Sequence, residues 1–287
     1  MILLQLLING LVTGCALGVV AISFALVYST TKIFHVAHAG VYTLAGYIAW
    51  LLVSHAVPEV VALAAAVLVC AGAGAVIQHQ LYARLERRGA PHLVVLIASL
   101  GLLAVMQNII AAVFSPNILQ FPVLWANRTL ALDGIALTYA QLLTVLICLA
   151  AYGGVMWFAH YTTLGKRIRA VASNPFLAQI TRLQPNTVYV YVVAIASAIV
   201  ALPGVLVPLD LGLQPYGGIT PLLTATIAMI AGGVGSISGA FVLSIAIAEL
   251  QNLSLLAIPG EWSIGITFFI FVIFMLFRPT GLFSAAR

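Results

Sequence analysis

The sequence predicts an all-α, polytopic transmembrane bundle of about eight or nine spans. Two observations carry this. Hydrophobic residues fill 63% of the 287 positions and charged residues only 6%, too little polar surface to coat a soluble globule of that length. Apolar runs of roughly 17 to 25 residues, each able to cross a hydrocarbon core of about 30 Å as a helix, recur from end to end. A β-barrel would instead show segments of roughly 10 residues alternating apolar and polar, whereas these runs are apolar on every face. The net charge of +5 is small, and nucleic acid is not an expected partner.

Spans are expected near 6–28, 37–55, 58–80, 93–114, 138–160, 187–209, 220–232, 240–256 and 262–277. The first is too long for a signal-peptide core and no basic residue precedes it, so it is read as a retained helix. In it NGLVTGCALG sets Gly10, Gly14 and Gly18 four apart on one face, which lets a second backbone approach closely. Packing within the subunit is the favoured use, and packing against a partner is the other. At the entrance to the second span His35 and His38 stand three apart with no nearby Cys, Asp or Glu to complete a metal site, so hydrogen bonding is the expected role. His55, His79, His92 and His160 fall near span ends. Cys15, Cys70 and Cys148 lie inside apolar runs and read as reduced packing residues.

The fourth span carries two polar residues, Gln107 and Asn108. The segment 220–232 rises only about 20 Å as a helix, too little to span alone, and reads as a broken or half helix. GGVGSISGA follows, with Gly232, Gly233, Gly235 and Gly239. It lacks the Lys-Ser/Thr of a phosphate loop, and a flexible or tightly packed bend is expected instead. Beyond it, AIAELQNLSLL holds Glu249, the carboxylate expected well inside a span, with Asn252 three residues on and able to hydrogen-bond with it. Such a carboxyl must face a hydrated path, be paired or be neutral. For all these polar residues interhelical bonding, worth about 0.6 to 2 kcal/mol per contact, stands beside the path reading.

Charge sets the expected orientation. Lys32, Arg84, Arg87, Arg88, Lys166, Arg167, Arg169, Arg182, Arg278 and Arg287 fall in alternate connections, and only Arg128 lies opposite. The positive-inside rule makes that side cytoplasmic, with the amino terminus outside and the carboxyl terminus inside. The acids Glu59, Asp133, Asp210 and Glu261 then face outward. The longest cytoplasmic connection, within 161–186, reads LGKRIRAVASNPFLAQITRLQPN from Leu164 to Asn186. Basic residues there could simply anchor the flanking spans. Asn174 before Pro175, however, is a helix start. A short helix is expected from Pro175 to about Leu183, closed by Pro185 and Asn186, with Phe176, Ile180 and Leu183 as an apolar stripe that could lie flat on the lipid interface or dock in a groove on another protein.

That connection resembles the cytoplasmic coupling loop of the LivH-type permeases of bacterial ABC importers for branched-chain amino acids. The resemblance covers the whole chain through five ordered landmarks: the Gly-rich first span, KIFHVAHAGVYTLAGYIAW (Lys32 to Trp50), the coupling loop, GGVGSISGA and LFRPTGLF (Leu276 to Phe283). Departures from the family pattern stand at Ala39, where Gly is common, and at Leu183 and Gln184, where the loop often carries Gly; the loop also lacks an acidic residue near its centre. The resemblance implies one permease domain over 1–287 in the bacterial inner membrane, paired with a LivM-like permease, two cytoplasmic ATPase subunits and a periplasmic solute-binding protein. It makes Gly165, Lys166, Arg167, Arg169, Asn174, Pro175, Phe176 and Ile180 the ATPase-coupling residues.

No Walker-type segment is present in this chain, so ATP and Mg belong to the partner subunits and the chain itself needs no cofactor or metal. No GxSxG elbow, HExxH pair or close carboxylate pair lies within the spans, which disfavours an enzyme and leaves no catalytic residues to assign. The reading is therefore a transport subunit, not an enzyme, with Gln107, Asn108, Glu249, Asn252 and His38 as candidates for the substrate path. Permeases of the same family for urea, short amides or small carboxylates, an ATPase-independent carrier or channel, and a purely structural subunit are the alternatives.

Overall fold

The computed structural model describes residues 2–126, 128–132, 135–278 and 281–283. Asp133 and Arg287, counted in the charge map, and Pro279 and Thr280 of LFRPTGLF lie outside the described residues. The elements in order are α1 (Ile2–Thr31), α2 (His38–Ser54), α3 (Glu59–Val76), which runs through a π-helical turn (Ile77–Tyr82) into α4 (Ala83–Arg87), and α5 (His92–Phe114). An antiparallel hairpin of β1 (Thr129–Leu132) and β2 (Ile135–Thr138) then leads into α6 (Tyr139–Tyr161). The connection carries α7 (Thr163–Ser173) and α8 (Pro175–Ile180), followed by α9 (Pro185–Leu211), α10 (Ile219–Gly232), α11 (Ile237–Ser254) and α12 (Ser263–Phe277).

Among the described residues seven helices are long and apolar enough to cross a membrane, while α2 and α10 are shorter apolar helices. Every expected span corresponds to one helix, with ends that differ by a few residues. Prolines set several starts: Pro58 and Pro91 immediately precede α3 and α5, and Pro185 is the first residue of α9, where its missing N–H costs nothing.

α1 is the axis of the bundle, and every residue from Gly14 to Val27 is buried. α6, α9, α10 and α11 pack around it, and α2 packs on α9. The periphery is α3, α5, α6 and α12, whose outward faces present residues such as Leu68, Ile109, Leu146 and Phe269. Lipid tolerates these as well as a protein core does, so the outer faces need not be polar.

Glycine fixes the closest helix contacts. A Cβ on Gly14 would lie 2.7 Å from the Ile245 Cα, and one on Gly18 would lie 2.5 Å from the Phe241 ring, while Gly10 faces the Glu249 carboxyl. The glycine face of α1 thus packs against α11 within the subunit, the first of the two uses expected. The GGVGSISGA segment is a tightly packed bend: Gly232 and Gly239 meet backbone to backbone, and Gly233 and Gly235 take φ of 105° and 97°, values that favour glycine. The C-terminal segment clamps it, with Leu282 N donating to Ala231 O at 2.9 Å and Phe283 N to Gly232 O at 3.1 Å.

The charged connection is more structured than its sequence announces. Thr162 caps α7 by accepting from Gly165 N at 3.0 Å, and Gly165 sits against the Phe158 and Ala159 carbonyls, where a Cβ would not fit. Ile168 and Val171 are buried with Leu26, Val188 and Val192 in a small second core. Asn174 Oδ1 then accepts from Phe176 N and Leu177 N at 3.0 and 3.1 Å, and Pro175 opens α8. α8 ends at Ile180, short of the expected Leu183, because Arg182 adopts φ 62° and reverses the chain. Pro185 starts α9 and does not terminate α8.

Candidate functional site

Two hollows mark the opposite ends of the bundle. The first, a cavity of about 410 Å³, opens beside the hairpin, where α1, α6, α10 and α12 begin and α9 and α11 end. Along one face of α1 its lining runs Asn9, Val12, Thr13, Ala16, Leu17, Val20, the i, i+3, i+4 spacing of a single helix face. Polarity falls along that face. Asn9, Gln141, Asp210, Gln251, Asn252 and Ser263 surround the mouth, while Ala16, Leu17, Val20, Leu206 and Val207 make the deeper part mainly apolar, with Tyr42, Thr144 and Thr224 also in the lining.

Hydrogen bonds hold the mouth residues in place. Gln141 and Thr138 form a reciprocal capping box at the start of α6, with Gln141 N donating to Thr138 Oγ1 at 3.1 Å and Thr138 N to Gln141 Oε1 at 3.2 Å. Both residues also donate to Asp210, Thr138 Oγ1 to Oδ1 at 3.1 Å and Gln141 Nε2 to Oδ2 at 3.0 Å. Gln5 Nε2 donates to Asn9 Oδ1 at 3.0 Å and to Ala136 O at 2.9 Å, and Gln5 Oε1 accepts from Ala136 N. The hairpin is thereby tied to α1 and to the end of α9. Gln251 Nε2 donates to Thr267 Oγ1 at 2.5 Å.

The second hollow, a groove of about 490 Å³, lies at the other end between the close of α1 and α6, α7 and the glycine bend. Lys32, His160, Arg169, Ser173, Ser236 and Ser238 are among its lining. Beside it α8 presents Phe176, Leu177 and Ile180 at 70, 57 and 66% exposure, while Ala178 is buried as its anchor. Lys166, Arg167 and Arg169 are exposed on α7, so the expected coupling residues form one basic, apolar-tipped surface. Gly165 is buried beneath it.

Of the five expected path residues, Asn252 alone lines the cavity. It does not bond Glu249, because its Nδ2 donates to Ala248 O at 2.9 Å. Glu249 is directed onto Gly10 in the α1–α11 seam, where its Oε2 is buried without a hydrogen-bond partner. Gln107 faces inward on α5 and is buried, whereas Asn108 faces outward and donates to Ala104 O at 2.8 Å. Adjacent helix residues point about 100° apart, so these two do not form one polar site. His38 is fully buried, 2.8 Å from Ser23 Oγ through Nε2.

His35 is buried in the link before α2, not on its helical face, and its Nδ1 lies 2.6 Å from the Tyr82 hydroxyl. Tyr82 donates to Ser99 Oγ at 2.8 Å, and Ser99 accepts from Ala37 N at 3.0 Å. The π-helical turn carries Tyr82 into this network, which joins the α1–α2 link to α3 and α5. Among the described residues no group of three or more metal-ligating side chains is present, and the three cysteines are buried and free.

Asn9, Gln141, Asp210 and Gln251 are cavity residues that reading spans in isolation missed. Each stands near a helix end, where polarity looks like ordinary contact with water. Their common signal is that the ends of four helices meet on one side of the bundle.

The family described as the permease component of branched-chain amino acid transport systems matches residues 6–275. The chain is 25% identical to the high-affinity branched-chain amino acid transport system permease protein BraD of Pseudomonas aeruginosa, over 97% of this chain and 95% of that protein. It is also 25% identical to LivH of Escherichia coli, over 97% and 94% of the two chains. Among solved structures, a chain of PsaBC from Streptococcus pneumoniae in complex with Fab superposes with a TM-score of 0.53 at 14% identity, over 95% of this chain and 91% of that one, a likeness of fold. With seven membrane-length apolar helices and a family match from residue 6 to residue 275, the chain belongs to the branched-chain amino acid transport permease family, multi-pass proteins of the bacterial inner membrane.

Proposed function

We propose that this permease is one half of the membrane domain of a binding-protein-dependent ABC importer that moves branched-chain or related hydrophobic amino acids into the cytoplasm. A LivM-like second permease, two cytoplasmic ATPase subunits that bind the ATP and Mg, and a periplasmic solute-binding protein complete the assembly. α8 is the main support for this reading. It is a short helix with a side-chain cap at its start, and it holds Phe176, Leu177 and Ile180 away from the bundle on its most basic face. Basic residues alone would serve as an anchor; an exposed apolar tip suits a lipid interface or a hydrophobic groove on a partner, and a cap that fixes the tip off the bundle favours the groove.

The cavity at the far end suits the cargo. A polar mouth over an apolar depth matches a zwitterionic head on a branched hydrocarbon side chain. Closure of the ATPases would push on α7 and α8, and α7 shares the wall of the groove with the glycine bend that starts α11. Re-packing there while the hairpin-side cavity changes its opening is alternating access.

Phe176→Asp and Ile180→Asp test the coupling. A carboxylate placed in a desolvated apolar contact costs more than the roughly 2 to 7 kcal/mol of a neutral polar group, so both variants should insert normally yet lose ATPase copurification and leucine uptake. Normal uptake and copurification in both would make the stretch an anchor. Leucine uptake by the permease without ATPase subunits would identify a carrier.

A further inference from the structure

Asp210 sits in the cavity mouth near the end of α9, and among the described residues no lysine or arginine lines that cavity. A carboxylate offers about four acceptor positions. Thr138 and Gln141 take one on each oxygen, leaving acceptor capacity that no lysine or arginine among the described lining residues fills. Both donors are themselves fixed by the capping box, so the carboxylate is held in one orientation before any solute arrives. Nearby on α1, Asn9 has its Oδ1 occupied by Gln5, which leaves its Nδ2 as a donor at the same mouth. The mouth therefore offers a preset negative acceptor and an amide donor above an apolar depth of Leu17, Val20, Leu206 and Val207.

We propose that Asp210 is the specificity-determining residue of this cavity and that it receives a primary ammonium group. The solute is then an α-amino acid whose ammonium faces Asp210, whose carboxylate faces Asn9 and whose side chain enters the apolar part. This deepens the importer reading and rests on it for the direction of movement, though not for the binding itself. It sets this permease apart from one for urea, neutral amides or simple carboxylates. Urea and neutral amides can donate to the carboxylate but bring no positive charge to offset it, and a carboxylate without an ammonium would meet a like charge at the mouth.

The test uses the assembled importer in nanodiscs without its binding protein, cysteine-free except for Thr13→Cys on the cavity wall. Protection of that thiol from a maleimide is compared for leucine, 3-methylbutan-1-amine and 4-methylpentanoate. Leucine and the amine should protect, and the acid should be weaker by about tenfold or more, the scale of a hydrogen bond to a charged group. Asp210→Asn, checked for intact assembly by the yield of complex, should erase the advantage of the amine over the acid. Equal protection by the acid and the amine in the parent protein overturns the assignment without recourse to any Asp210 variant. Failure of all three ligands to protect, or an unchanged preference in Asp210→Asn, overturns it equally. Loss of ATP-dependent uptake with protection intact would instead count against the importer reading alone.

Discussion

At the scale of single residues the bundle is organised by side chains that are absent. Gly14 is where α1 and α11 come nearest, with the Ile245 Cα in the place a methyl would take. Gly72 on α3 has open space around its would-be Cβ. Gly14→Ala should therefore cost about 1 to 3 kcal/mol through forced separation of two backbones. Gly72→Ala should be neutral or stabilise by roughly 0.4 to 1 kcal/mol through the unfolded chain. Thermal midpoints of the two purified variants check this, and equal midpoints would show that the α1–α11 seam yields easily. The histidines make the complementary point. Their three-residue spacing suggested a shared helical face, but His35 lies before α2 begins and its partner Tyr82 is 47 positions away. A bond at that sequence distance leaves no mark in local spacing.

Helix ends were readable because prolines and charges punctuate the apolar runs, and lipid-spanning lengths leave few other solutions. Helix faces were harder to read, since a helix between lipid and protein is apolar on both sides and the usual polar stripe is missing. The inward face is written in residue size instead. On α3 the buried positions are Ala62, Ala66, Cys70 and Gly74, four apart and all small, and on α6 Ala140, Thr144 and Cys148 repeat the pattern. Small residues let neighbouring backbones close up, so that period marks the face turned inward. Gln107 and Asn108 are adjacent in sequence but not in direction, and α5 keeps the four-residue period largely without the small residues that mark it on α3 and α6. On α5 the buried series Val95, Ser99, Leu103, Gln107 includes one and leaves the other outside. The start of α8 was legible for a different reason, as Asn-Pro is a local signal that tertiary contacts do not override. Asn174→Ala should remove two bonds to orphan amides and cost about 0.5 to 2 kcal/mol of local stability. Faster amide exchange over Pro175–Ile180, with exchange in α9 unchanged, is the expected result, and an unaltered rate would mean that packing of Ala178 alone holds the element.

For the molecule as a whole, helix direction gathers Lys32, His160 and Arg169 at one end and Asn9, Gln141 and Asp210 at the other. If the basic end is cytoplasmic, Leu124→Cys, at 90% exposure beside the hairpin, introduced into a version of the protein without its native cysteines, should react with an impermeant thiol reagent in intact cells, and Lys166→Cys should not. The reverse labelling would invert the membrane orientation. The seam between α1 and α11 has a consequence at this scale. Phe241 and Glu249 fit over the notches at Gly18 and Gly10, so the two helices are keyed together and behave as one keel. That keel supplies a wall to both hollows, Asn9 to Val20 with Gln251 and Asn252 at one end, and Ala25 to Thr30 with Ile237 and Ser238 at the other. A keyed pair cannot widen one hollow and narrow the other by changing its own shape. The boards opposite are α6 with α7 at the basic end and α9 at the hairpin end, where Pro203 and Pro208 stand inside a continuous helix and each withholds a backbone N–H from its ladder beside Asp210.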